Sequence, residues 1–348
     1  MPPVDNNETR KLQFTGRSTF IISLPKKWMA EMQLRVGDPV TIIRGMNSSL
    51  SIFPNIMRTS LTEECTCKVS GKEGANTVKR KVISMYLRGY NIIHIKPEGE
   101  RFLPKQRDAV REVVNRNLIG AEIIEDSSEL ITVTILMGIA AGLSMNTALR
   151  RMFLIGVSMH RDAITALCSD DKELAKNAIR ADDEVDRFSL YLLRNLVIAS
   201  QHERLLYEIG LKKPTDCFAY RAAGKSLERI ADHGSRIAYE CQHIDMKLPN
   251  EILLKIKEMS EMSLKLIENS VAAFLQGDYY AADKITDQVQ SIASFENDIL
   301  AMLNKFQDYD TTSVPLILAE IRRTAEHGAD IAEAALNQSV NAITEPAA

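Results

Sequence analysis

The hydrophobic pattern changes rhythm twice along the chain, and each rhythm predicts a different kind of structure. Between Arg10 and Pro54, short apolar runs alternate with turn signals: residues 20–24 stop at Pro25, residues 39–43 follow Gly37-Asp38, and residues 50–53 end at Pro54. This pattern predicts three strands, with room for only a short helix over 26–32. So small a β unit cannot bury enough surface by itself and requires a partner chain or a covering domain.

The second zone, about 62–138, alternates types. Strand-like stretches at 65–69 and 91–95 flank a segment in which Val78, Val82, Met85 and Tyr86 recur at helical spacing, with Gly89 near its end. A second helix over 103–118 tolerates Pro104 in its first turn. Residues 121–124 and 130–135 then return to strand. The order βαβαββ predicts a small α+β sandwich with helices on one face. Such a layer suits ligand sensing or dimer support, and its pattern holds no catalytic group.

From about residue 145 the period is helical. Leu174, Ala178, Ala181, Val185, Phe188, Leu192, Leu196 and Ala199 keep one face, over about seven turns. Breaks at 168–171, Pro214, 247–249, 276–278 and 310–315 predict six helices, three on either side of Pro249. The two halves repeat each other: residues 227–238 and 321–332 are identical at six of twelve positions at an offset of 94. Asp183-Glu184-Val185 pairs more weakly with Asp287-Gln288-Val289 at an offset of 104. This is a tandem duplication of a three-helix unit.

Composition narrows the class. The 348 residues are 45% apolar and 26% charged, which argues against disorder and fibre and for two or three globular domains. No uncharged apolar run reaches the roughly 18 residues of a membrane span, and the polar first ten residues carry no signal core. Five dispersed cysteines fit free thiols in a reducing cytoplasm, the expected location. Cys65 and Cys67 lack a second pair with which to build a zinc site. Charge is unevenly placed: residues 1–60 hold eight Lys/Arg against four Asp/Glu, and the remainder 35 against 42. A basic head thus precedes an acidic body.

Candidate chemistry lies in that body. Asp182 and Asp186 are spaced i,i+4, as are Glu228 and Asp232, so each pair projects from one side of its helix. Asp182 and Asp186 lie beside the apolar stripe, on an azimuth shared with Leu193 and Val197. Four carboxylates on neighbouring helices repel, and a multivalent cation is the usual remedy. Oxygen ligands suit magnesium, manganese or iron. The same spacing also occurs on plain solvated helix faces, and His233, beside Asp232, can be a ligand or a packed ring. No Ser/His/Asp or Cys/His arrangement marks an enzyme, so no catalytic activity is expected.

The duplicated helical region resembles the phosphate-uptake regulators of the PhoU type, whose helices carry repeated (E/D)xxxD motifs and a signature similar to Leu227-Glu228-Arg229-Ile230-Ala231-Asp232-His233. The resemblance implies two three-helix bundles displaying metal clusters, with iron, zinc or other divalent ions bound. It maps onto Asp182, Asp186, Glu228 and Asp232. In the second repeat the aligned positions read Thr286, Gln290, Arg322 and Glu326, so one competent site and one altered site are expected.

The head resembles the AbrB/SpoVT swapped-hairpin DNA-binding fold through Arg10-Lys11, the run from Thr15-Gly16-Arg17 to Pro25-Lys26-Lys27-Trp28, and Val36-Gly37-Asp38. That fold implies a homodimer with interleaved hairpins, with Arg10, Lys11, Arg17, Lys26 and Lys27 as the cations facing DNA. Its combination with a PhoU-like body is similar to archaeal phosphate-uptake regulators. The expected fold class is multidomain and mainly α. It comprises a small β swapped-hairpin head (8–54), an α+β middle domain (62–138) and two tandem PhoU-like three-helix bundles (145–246 and 249–341). The resemblance implies a cytoplasmic regulator of phosphate uptake that binds DNA upstream of phosphate-transport genes and metal through the body. The alternative is an interaction protein that inhibits a phosphate ABC transporter through its ATPase, with the head serving only for dimerisation.

Overall fold

Two short hairpins and one short helix make up the head in the computed structural model, which describes residues 8–16, 18–44, 49–54, 63–136, 143–201, 203–244, 248–305 and 312–344. Strand β1 (Gln13–Thr15) pairs antiparallel with β2 (Thr19–Ile21), and β3 (Val40–Arg44) pairs with β4 (Leu50–Pro54); helix α1 (Lys26–Glu31) lies between. Gly16 adopts φ 63° at the first turn, a conformation glycine enters without steric cost. The run 20–24 was expected to be strand throughout. Only its first two residues pair, because β1 offers three residues of partner, and residues 22–24 continue unpaired to Pro25. The apolar side chains of the head are open: Phe14 is 59%, Phe20 66%, Ile42 60% and Leu50 69% exposed. Met1–Leu61 and Thr62–Ala348 form two separate compact units.

The second unit begins with a four-stranded sheet, β5 (Glu64–Val69), β6 (Ile92–Pro97), β7 (Ala121–Asp126) and β8 (Ile131–Ile135), in the order β5-β6-β8-β7. β5 and β6 are parallel and the other pairs antiparallel, with a bulge between Ile123 and Glu125. Helices α2 (Ala75–Arg88) and α3 (Pro104–Asn117) cover one face. Val69, Ile93, Ile95, Ile131 and Val133 form a core there with Val78, Val82 and Tyr86 of α2 and Val110, Val113 and Val114 of α3. Alternation along the strands sends every second residue inward, and the βαβαββ order is the one the pattern predicts.

The body contains α4 (Met145–Ser169), α5 (Lys172–Gln201), α6 (Glu203–Glu208), α7 (Asp216–Cys241), α8 (Asn250–Gln276), α9 (Tyr279–Thr286), α10 (Val289–Leu303) and α11 (Ser313–Ser339). α4, α5 and α7 pack together as one repeat, and α8, α9, α10 and α11 as the other, with α7 against α11 at the centre. The duplication extends to single turns. α4 ends at Asp170 (φ 55°), and Asp171 Oδ1 accepts from the Glu173 and Leu174 amides at 3.1 and 3.0 Å. α8 ends at Gly277 (φ 66°), and Asp278 Oδ1 accepts from the Ala281 amide at 3.0 Å. A Cβ at Gly234 of α7 would lie 3.4 Å from the His160 backbone of α4. One at Gly328 of α11 would lie 2.6 Å from Leu266 of α8. Each glycine therefore sets the close approach inside its own repeat.

Six uninterrupted helices were expected; the structure departs from this in two places. α6 is a separate short helix, and the middle helix of the second repeat breaks between Thr286 and Val289. At that break Thr286 Oγ1 donates to the Asp283 carbonyl (2.8 Å) and Ser291 Oγ to the Gln288 carbonyl (2.6 Å), while the Gln288 amide bonds three residues back to Ile285. Hydroxyls competing for helical carbonyls tighten the backbone locally.

One buried cation ties the sheet layer to the body. Arg194 of α5 donates through Nη2 to the Gly89 carbonyl (3.1 Å) and Asn91 Oδ1 (2.9 Å), and through Nη1 to the Tyr86 carbonyl. Its guanidinium also lies 4.8 Å from the Tyr86 ring centre. It caps the C-terminal end of α2, where a cation is favoured by the helix dipole.

Candidate carboxylate site and basic head

α5 and α7 can approach closely because Gly224 lies against Leu192; a Cβ there would meet Leu192 Cδ2 at 2.8 Å. That contact brings the two i,i+4 acid pairs into one electrostatic group. Burial first, then Asp232, Asp186, Asp183 and Glu228, push the Asp182 carboxyl up to about 7. Burial, then Glu228 and Asp232, push Asp186 up to about 6. Asp232 is raised as well, by burial and by Glu228, against the opposing pull of Arg236, Lys225 and His233. All four residues singled out in the sequence therefore share one field. Lys225, which sequence reasoning overlooked, forms an ion pair with Glu228 one turn away.

The chemistry of this donor set fits a hard multivalent cation: half-buried carboxylates raised by mutual repulsion gain most from a positive charge. As the side chains stand, no three His, Cys, Asp or Glu among the described residues are gathered closely enough to hold a metal ion.

His233 is packed. It is buried, bonds to Glu320 of α11 through Nδ1, and stacks on His327 with ring centres 5.2 Å apart and 10° between planes. His233 and His327 occupy equivalent positions of the two repeats, so this stack lies on the seam between them. Arg323 holds the other Glu320 oxygen at 3.1 Å, and these neighbours keep the Glu320 carboxyl below the usual range despite burial.

The second repeat differs at every aligned acid except one. Arg322 stands where the first repeat has Glu228. Its Nε lies 2.7 Å from Glu296 of α10, and it also pairs with Glu326 one turn on. Glu296 is 13% exposed. The substitution of Arg for Glu between the repeats was visible in sequence, whereas its partner on α10 was not.

In the head, Arg10 and Lys11 precede β1 and are exposed, and Arg10 pairs with Glu8. Lys26 and Lys27 occupy the first turn of α1, with Lys27 3.9 Å from Glu31. Arg17 lies outside the described residues.

Residues 149–241 and 256–335 match the PhoU domain, and residues 13–54 match the antidote-toxin recognition domain MazE of bacterial antitoxins. A curated relative, phosphate-specific transport system accessory protein PhoU homolog 1 of Thermotoga maritima, is 26% identical over 130 residues. These make up 37% of this chain and 54% of the relative, so the match spans about half the relative's length. Among solved structures, the phosphate transport system regulatory protein PhoU from Streptococcus pneumoniae aligns at 20% identity with a TM-score of 0.49, over 58% of this chain and 96% of that one. PhoU from Pseudomonas aeruginosa aligns at 17% identity with a TM-score of 0.48, over 57% and 96%. No helix among the described residues is long and apolar enough to cross a membrane. The chain thus carries two regions that match the PhoU domain in tandem, behind a head of the MazE/AbrB-like type.

Proposed function

We propose that this protein regulates phosphate transport. In this reading its first PhoU domain binds a metal ion and its head binds DNA upstream of phosphate-transport genes as a homodimer. One observation carries the reading: the four carboxylates of α5 and α7 in the first PhoU domain that share one electrostatic field, two of them raised to about 7 and 6. Asp182, Asp186, Glu228 and Asp232 would hold the ion, and Lys225 would give up Glu228 to it. Iron, zinc, manganese or magnesium meets the donor chemistry, with oxygen ligands favouring the harder ions.

The head contributes cations and an apolar surface that one chain leaves uncovered. Exposed Phe14, Phe20, Ile42 and Leu50 fit burial against a second copy, as interleaved hairpins provide. Arg10, Lys11, Lys26 and Lys27, together with Arg17, would meet phosphates, doubled across the dimer. Metal binding would favour one arrangement of the bodies and so change how the two heads are presented to DNA.

The test is fluorescence anisotropy on DNA from upstream of the host's phosphate-transport genes, with a shuffled duplex beside it. Preference for the native duplex, weakened by salt and lost in Arg10→Ala/Lys11→Ala, supports the reading. Equal weak binding to both duplexes assigns the head to dimerisation and moves the search to the transporter's ATPase. In parallel, Glu228→Ala/Asp232→Ala should lower the metal content found by elemental analysis; an unchanged content removes the metal from the reading.

A further inference from the structure

The four-stranded sheet ends in two edges, β5 on one side and β7 on the other, and the two are built differently. β7 carries a bulge between Ile123 and Glu125, and its charged residues, Glu122, Glu125 and Asp126, are all acidic. A bulge and unmatched charges keep an edge from pairing. β5 follows β6 without a break from Glu64 to Val69, with an acid, Glu64, at its start and a base, Lys68, near its end. This edge is open: Glu64, Thr66 and Lys68 are exposed. Cys65 and Cys67 are only half-buried, although they point to the helix side, where Ile93 and Ile95 of the next strand are 0% and 1% exposed.

The backbone of β5 alternates in the side to which it bonds. The Glu63 carbonyl accepts from the Asn91 amide at 2.7 Å, and the Val69 carbonyl from the Glu98 amide at 2.9 Å. Residues 63, 65, 67 and 69 therefore bond toward β6, and Glu64, Thr66 and Lys68 turn their amides and carbonyls outward. The Lys68 carbonyl is met by side chains, Lys81 Nζ at 2.9 Å and Cys67 Sγ at 3.6 Å. Lys81 also holds Glu73 at 2.6 Å, a partner it keeps without that carbonyl.

We propose that β5 pairs antiparallel with β5 of a second copy, about a two-fold axis through Thr66, so that one sheet runs through both copies. The outward-turned residues limit the register, because they must face one another. Axes through Glu64 or Lys68 set like charges together, and axes through Cys65 or Cys67 set a charge against Thr66. The axis through Thr66 sets Glu64 opposite Lys68 on both sides of it, with Cys65 opposite Cys67. The stretch Glu64-Cys65-Thr66-Cys67-Lys68 is thus complementary to its own reverse, and opposite charges directly across a ladder stabilise it. Lys68 already stands beside Lys96 of β6, so an acid from the other copy relieves that pair. Glu64 holds His94 Nε2 through one oxygen at 2.5 Å, and its side chain is 58% exposed; a carboxylate accepts at two oxygens. The paired stretch is short. It serves a dimer already joined through the heads, where effective concentration makes a weak contact count, and in that respect it rests on the homodimer reading above.

The two cysteines supply the test. In this register Cys65 of one copy and Cys67 of the other are about 4.5 Å apart at Cα, within reach of a disulfide. Each cysteine meets its own counterpart only on the diagonal, at about 7–8 Å, which is too far. The full chain is prepared with Cys168→Ser, which removes the exposed thiol. Cys65→Ser, Cys67→Ser and the two variants co-expressed are then oxidised with copper–phenanthroline, after light scattering on each sample. Covalent dimers should be at least fivefold more abundant in the co-expressed sample than in either variant alone, and should map by mass to Cys65–Cys67. Adding Lys68→Glu to both chains should lower that yield at least threefold, and adding Glu64→Lys as well should restore it. Restoration excludes misfolding as the cause. Equal yields in the three samples, no covalent dimer in any, or a yield indifferent to the charge changes overturns the edge pairing. A dimeric mass then leaves the head dimer standing, and a monomeric mass overturns both.

Discussion

In the first PhoU repeat, Asp182 and Asp186 of α5 share a field with Glu228 and Asp232 of α7, and burial together with their repulsion raises two of the carboxyls to about 7 and 6. In the second repeat the position of Glu228 is taken by Arg322, which reaches Glu296 on α10 and Glu326 on its own helix. Both repeats face the same problem of acids between packed helices. The second resolves it with a guanidinium at the aligned position; in the first, Lys225 pairs with Glu228 while Asp182 and Asp186 stay raised. The helix carrying the acid pair also differs. α5 runs unbroken through Asp182 and Asp186, while its counterpart breaks after Thr286, where the aligned acid is missing. A duplicated unit can thus keep four neighbouring carboxylates in one copy and lose three of them in the other, with an arginine at one of the vacated positions.

The largest effect expected from that difference is in the second repeat. Arg322→Ala removes the cation from Glu296, which is 13% exposed, and from Glu326. Stranding a nearly buried carboxylate should cost about 2–3 kcal/mol, read as a lower midpoint in urea unfolding. Glu228→Ala, the aligned change in the first repeat, removes a repelling acid and should not destabilise the metal-free protein. Equal losses in the two variants would erase the contrast.

Next in size is the reverse effect. Asp182→Asn keeps the side-chain volume and removes a charge that folding holds against its neighbours. Metal-free protein should gain about 1 kcal/mol, after allowing for the solvent screening of a half-exposed group. Elemental analysis should show lower metal content in the same variant. Stabilisation joined to loss of ligand is what a site held open at the expense of stability produces. A less stable variant would mean that the carboxylate is already compensated.

Much of this was legible in the sequence, for identifiable reasons. The long helices α4, α5, α7, α8 and α11 rest on sustained periodicity and on turn signals such as Asp170-Asp171 and Gly277-Asp278. The sheet layer rests on runs such as 91–95 and 130–135. The acid pairs could be read because i,i+4 spacing fixes a shared side, and Glu228 and Arg322 could be compared because the repeat aligns them. The rest depends on contacts that cross elements. Glu296 meets Arg322 only through the packing of α10 on α11, and no spacing rule links residues so far apart. Arg194 reads as an ordinary polar position of α5, yet it is buried as the cap of α2. Strand β1 was missed because three mixed residues carry no alternation, and the break at 287–288 depends on hydroxyl bonds that periodicity does not encode.

The smallest effect, and the one that most sharpens the comparison, is the pH dependence of metal-free stability. Asp182 titrates near 7 when folded against 3.8 as an unperturbed group. The folded state therefore binds more protons than the unfolded state between these values. Linkage then makes stability fall as pH rises through about 7. Asp186, raised to about 6, acts in the same direction at lower pH. His160 opposes both: fully buried, it is lowered to about 4 from 6.5, so stability rises with pH until about 6.5 and then levels. Glu320, lowered by its neighbours, acts only in acid. From pH 6.5 to 8 Asp182 makes the largest of these contributions, and over that window the wild-type protein in chelator should lose about half a kcal/mol. Asp182→Asn should be flat across the same window, and saturating manganese should flatten the wild type by holding the carboxylates ionised at every pH. Arg322→Ala should keep the wild-type slope, because Asp182 and the acids that act on it belong to the first repeat. Thermal midpoints at four pH values for these samples are sufficient. A slope that survives Asp182→Asn would place the titrating group outside the acid quartet and remove the contrast between the repeats.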